Sequence, residues 1–189
     1  MEIEKNCYLA TGIEMLETNL AEVKFEYFLK YMPIILDLAR GMTDIEERKL
    51  DRRGFLTLMD GVTGKILFTI PFGEIPENKW EQYFTLSQEK ATRLFETGLP
   101  LGHTTSYESR DISKDQYGGA IYVDLHSTVV ILSFSGMPEL IDEIMMLALA
   151  KGLSIVCVKK PILTRIEAFG RNPYDNKMRL EFAKALKAA

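Results

Sequence analysis

Two histidines and two cysteines in 189 residues leave most metal and nucleophile chemistry without its usual side chains. A multi-histidine metal site is excluded. Cys7 and Cys157 stand far apart with no metal-ligand spacing around them, which points to buried or free thiols and away from a disulfide or metal centre. No Ser-His-Asp or Cys-His set emerges from spacing. No apolar run approaches the roughly 18 residues that a membrane helix requires. Met1-Glu2-Ile3-Glu4-Lys5 lacks the basic start of a secretory leader, so the chain is expected in the cytoplasm, away from membranes. Internal repeats and low-complexity tracts are missing too. Gly61-Val62-Thr63-Gly64-Lys65 has part of the composition of a phosphate loop. It lacks the four-residue spacer and the Ser or Thr after Lys65, and it leads into a strand pattern where a helix is needed.

What is present suffices for one sizeable core, since 47% of the residues are hydrophobic. The charge is uneven. Residues 151–189 hold nine Lys or Arg against three Asp or Glu, a balance of +6, which leaves −10 on residues 1–150 of a chain whose net charge is −4. A basic tail can seek nucleic acid or an anionic surface. Here its charges alternate with Leu163, Ile166, Phe169, Met178, Leu180, Phe182 and Leu186, which favours docking on an acidic protein surface, its own or a neighbouring subunit's, over nucleic acid. The expected division is a domain over 1–152 and a basic extension over 153–189.

Periodicity fills in the elements. Asn19 with Glu22 reads as a helix start, and Leu20, Val23, Tyr27, Phe28, Tyr31, Ile34, Ile35 and Leu38 form a helical stripe. Pro33 either kinks that helix or begins a second one that ends at Gly41. Residues 43–53 read as a charged loop. Strands near 55–59 and 65–70 flank the turn Asp60-Gly61-Val62-Thr63-Gly64. After the turn-rich 71–78, a helix carrying Trp80, Tyr83, Phe84, Ser87, Ala91, Leu94 and Phe95 at helical spacing is expected to run to Thr97 and stop at Gly98; the stripe reads as core. A long polar loop covers 99–117. Loops of that length inside a domain are often functional or mobile.

The stretch from Gly118 to Asp142 is the most informative. Residues 120–124 alternate, 124–127 form a turn cluster, and Val129 to Leu132 is an unbroken apolar run suited to a central strand buried on both faces. Gly136 and Pro138 end the strand. Pro138, Glu139, Asp142 and Glu143 then suit a helix N-terminus, a place where anions bind. That helix is expected to end at Gly152, with a strand over 153–158 and a last helix from Asn172-Pro173.

In order, the Lys90-Ala91 pair, the Leu58-Met59-Asp60 to Gly64 turn, the Gly118-Gly119 pair, the Ser135-Gly136 pair and Asp142 resemble the GlcG-like or HbpS-like family, over about residues 19–151. Its members include a haem-binding protein and the C-terminal domain of PduO corrinoid adenosyltransferases. The resemblance implies an α+β fold, a profilin-like antiparallel sheet flanked by helices, here with a C-terminal strand and helix extension. It also implies homo-oligomers and, in some members, haem as ligand. Strand Val130-Ile131-Leu132-Ser133-Phe134 is bulkier than is common in the family, with side chains that would fill ligand space.

Candidate binding residues are His103, Tyr107, Arg110, Gly118, Gly119, Ser135 and Gly136. His103, among Gly102, Thr104, Thr105 and Ser106, is read either as a ligand contact, axial if haem is bound, or as a surface or locally hydrogen-bonded residue; His126 is expected in an exposed turn. Tyr107 and Arg110 supply a stacking face and an anion clamp, or Arg110 pairs with Asp111 at the surface. Three functions stay open: an oligomeric binder of a small anionic ligand, with haem among the candidates; an enzyme using the same cleft; and an interaction module with a filled pocket.

Overall fold

The computed structural model describes residues 25–40, 53–125, 128–156 and 163–164, together with positions 181, 184–185 and 187–188. Helix α1 spans Phe25–Arg40, β1 Gly54–Asp60, β2 Ile66–Phe72, α2 Glu77–Leu101, β3 Ala120–Leu125, β4 Thr128–Ser135, α3 Glu139–Val156 and β5 Leu163–Thr164, with two 3-10 turns at Ser106–Ser109 and Ile112–Lys114. The strands form one antiparallel sheet in the order β2-β1-β4-β3-β5, the last contributing only two residues. This is the expected α+β class, an antiparallel sheet flanked by helices.

Alternation along the strands sorts the side chains into two layers. Leu56 and Leu58 of β1, Val130, Leu132 and Phe134 of β4, and Ile121 and Val123 of β3 join the core made with α1 and α3. On the opposite face, Met59, Ile131, Ala120 and Tyr122 pack under Ala91 and Leu94 of α2. Phe55 meets Trp80 and Phe84 edge-on at 5.0 and 5.4 Å. β4 is thus covered on both faces, and its bulky residues fill core on each side. Between the layers of α2 and sheet runs a polar seam, with Thr57 Oγ1 3.0 Å from Thr69 Oγ1 and 2.9 Å from Ser87 Oγ.

Several element ends differ from the sequence expectation. Pro33 lies inside one helix, so no second helix starts there. α2 passes through both Gly98 and Pro100 and stops at Gly102, which takes the left-handed conformation of a helix C-cap at φ 73°. Gly98 is a packing glycine: the Tyr122 ring occupies the space where its β-carbon would lie. Gly152 does not end α3 either, and residues 153–156, expected as a strand, are helical. A glycine inside a helix costs about 1 kcal/mol without terminating it. The C-terminal strand pairs instead at Leu163 and Thr164 with Asp124 and Val123. Positions 181, 184–185 and 187–188 are helical, and the rest of the expected terminal helix, like the Asn19 start, the 43–52 loop, Cys7, Cys157 and His126, lies outside the described residues. Among the described residues no helix is long and apolar enough to cross a membrane.

The β1–β2 turn forms as read. Asp60 Oδ1 accepts from the N–H groups of Val62 and Thr63 at 2.8 and 3.2 Å, and Gly64 takes φ 72°.

Candidate functional site

The end of the sheet where β4 stops and β3 begins gathers the chemistry. Lys90 on α2 and Asp142 on α3 come from opposite layers, and both are buried, at 2% and 1% exposure. They meet there, Nζ to Oδ2 at 2.8 Å, while Nζ also donates to the Phe134 carbonyl at 2.9 Å. Asp142 Oδ1 accepts from the Met137 N–H at 3.0 Å, closing the turn before α3. The crossing needs space that only a glycine leaves. A β-carbon on Gly119, at φ 121°, would stand 2.8 Å from Asp142 Cβ and 3.0 Å from Lys90 Nζ.

Beside this pair opens a cleft of about 260 Å³. One wall is a helical stripe of α2, Lys79, Tyr83, Leu86 and Lys90; the other is the turn from Ser135 to Glu139, with Tyr117 at the side. Lysine has three N–H donors. Two of those on Lys90 are taken, and the third has no protein acceptor among the described residues. Ser135, 3% exposed, lines the same space. Gly136 lies so close to the Arg53 carbonyl that a side chain there has no room.

The acidic groups near the cleft are already engaged. Glu139 accepts from Arg110 Nη1 at 2.6 Å and from the Gly118 N–H at 2.9 Å. Asp142 is held by Lys90 and Met137. Tyr117 hydrogen-bonds Asp115 at 3.0 Å, which together with burial holds its phenol above the usual pKa, so it stays protonated at neutral pH.

The long loop is tied down from both helical layers. Arg93, 7% exposed, donates to the Ser106 carbonyl at 2.6 Å, to Ser109 Oγ at 2.6 Å and to the Tyr117 carbonyl at 2.5 Å, while its Nε meets Glu89 at 2.6 Å. From α3, buried Glu143 accepts from the Thr105 hydroxyl. Thr105 bridges to Ile121, so the loop covers the start of the β3 edge. Thr105 and Glu108 form a capping box; Glu108 Oε2 accepts from the N–H groups of Thr104 and Thr105 at 2.6 and 2.9 Å. Burial alone would raise the Glu108 pKa, and these donors outweigh it and hold the carboxyl below its ordinary value.

Of the residues expected from sequence, Ser135 and Gly136 line the cleft, and Gly118 and Gly119 build its back through Glu139, Asp142 and Lys90. His103, Tyr107 and Arg110 do not line it. His103 follows α2, whose axis rises about 16 Å between Lys90 and Leu101. Its Nδ1 is buried without a partner among the described residues. Arg110 lies 4.4 Å over the Tyr107 ring and is neutralised by Glu139, so it pairs with that residue and does not form a free anion clamp. The cleft holds about nine waters' worth of space and has no histidine among its described lining residues. These residues do not fit a haem macrocycle with a histidine axial ligand. Lys79 and Lys90 were not singled out as binding residues by the sequence; Lys90 is buried on the inner face of α2, which periodicity alone does not translate into a role, and no sequence signal marks Lys79.

Comparison with models of protein families, with characterised proteins and with solved structures finds no match.

Proposed function

We propose that the protein binds a small anionic metabolite in the Lys90 cleft. The observation that carries this reading is the buried Lys90 ammonium, which lines the cleft with Ser135 and has two N–H groups spent on Asp142 and Phe134 and a third without an acceptor among the described residues. A carboxylate or phosphate oxygen supplies the acceptor that this third N–H lacks, in surroundings where a charge-assisted hydrogen bond is strong. Neutralisation of Glu139 by Arg110 supports the same reading, because it removes the repulsion that an acidic helix start would exert. The open cleft favours a binder over a module with a filled pocket. Titration calorimetry at low salt with acetate and inorganic phosphate should give saturable binding. That binding should vanish in the Lys90→Met/Asp142→Leu double variant, which replaces the buried pair by apolar side chains of similar volume. Unchanged binding in the double variant would sink the proposal.

GlcG-like kinship and homo-oligomerisation belong to the same proposal. The likeness in motif order supports the first: Lys90, Gly119 and Asp142, read as separate motifs, converge within contact distance. Light scattering tests the second; a monomeric mass would remove it.

A further inference from the structure

We infer that the ligand carries two anionic groups joined by a short spacer, with one group held by Lys90 and Ser135 and the other by Lys79. The inference rests on the anion reading above and narrows its ligand class. Lys79, Tyr83, Leu86 and Lys90 occupy positions i, i+4, i+7 and i+11 of one uninterrupted helix, so all four project from the same face. The two lysines bracket Tyr83 and Leu86. Along the axis their backbones are about 16 Å apart. Lys79 Nζ donates to Gln82 Oε1 at 3.0 Å.

The charges at the two ends are not equivalent. Lys90 already has a carboxylate in Asp142, whereas Lys79 has only a neutral amide as partner among the described residues. An anion at the Lys79 end therefore meets a cation with no competing carboxylate. Between the ends the cleft is lined by Gln82, Tyr83 and Leu86 of α2 and by Met137 and Pro138 of the turn, a lining more polar than apolar overall. The cleft, about 260 Å³, has room for a short dicarboxylate.

Calorimetry on the full chain at low salt, comparing succinate, glutarate and adipate with butyrate, pentanoate and hexanoate, tests this. At least one dicarboxylate should bind about tenfold more tightly than the monocarboxylate of equal length, the factor expected of one added charged hydrogen bond. In Lys79→Gln, a substitution at the partly exposed cleft rim, that ratio should collapse toward unity. If mono- and dicarboxylates bind equally well, or if the ratio survives Lys79→Gln, the two-anion inference fails while the Lys90 anion site stands. If neither series binds, both fail.

Discussion

Lys90 and Asp142 pair at 2.8 Å although the helices that carry them lie on opposite faces of the sheet. The pair therefore joins the two helical layers directly, past the end of β4. Because both groups are buried, removing one leaves the other uncompensated. Asp142→Ala should lower unfolding free energy by about 3–5 kcal/mol, and replacing both residues, by Met and Leu, should recover most of the loss. Urea denaturation of the parent and the two variants gives the comparison; a loss below about 1 kcal/mol in Asp142→Ala would mean that the charge is solvated after all.

Gly119→Ala meets two penalties at once, a backbone at φ 121° and a β-carbon pressed onto Asp142 and Lys90. It should cost about 2–5 kcal/mol. Gly102→Ala has open space around it and faces only the left-handed backbone, so about 1 kcal/mol is expected there. Equal costs at the two positions in chemical denaturation would contradict the crowding described at Gly119.

Arg93→Met removes three hydrogen bonds that fasten the loop of residues 102–117 to α2. Stability should drop by about 2–4 kcal/mol. Limited proteolysis should also cut within this loop sooner than in the parent. Unchanged cleavage there would show that Glu143 and the Thr105 bridge suffice to hold it.

Glu108 has a carboxyl held below its ordinary value, 4.5 for an unperturbed group, by the Thr104 and Thr105 donors against the opposing effect of burial. A depressed folded-state value contributes stability that is fully present above the unfolded value and is lost as pH falls through the folded one. The parent should therefore exceed Glu108→Gln in thermal stability near pH 6, and the gap should close as pH falls below about 4.5 toward 3. A gap that widened on acidification would reverse the assignment.

The strands were legible because period-2 alternation and the Asp60 turn signal agree locally, and β1, β2, β3 and β4 fall close to where they were read. The helix ends were not. Gly98, Pro100 and Gly152 carry local stop signals that tertiary packing overrides, at Gly98 because the Tyr122 ring needs the vacant side. In the candidate site, Ser135, Gly136 and the glycine pair could be found because turns and close approaches demand those residue types. The Lys90 role could not be found from periodicity, which sees a lysine beside a core stripe without seeing that Asp142 waits beyond the sheet. His103, Tyr107 and Arg110 were drawn to attention by their loop. That loop is fastened by Arg93, Glu139 and Glu143, side chains distant in sequence.

Gly98 is the one position on α2 without a β-carbon, and Tyr122 seats its ring there. The contact acts as an indexing pin. A one-residue shift of register would bring a residue with a β-carbon to the place the ring occupies, so the contact favours the present setting of α2. Lys90 lies eight residues upstream on the same rod, and its ammonium arrives at the Phe134 carbonyl only in that setting. The alignment of the cleft is thus set at the far end of the helix, by a tyrosine that never touches the space it calibrates.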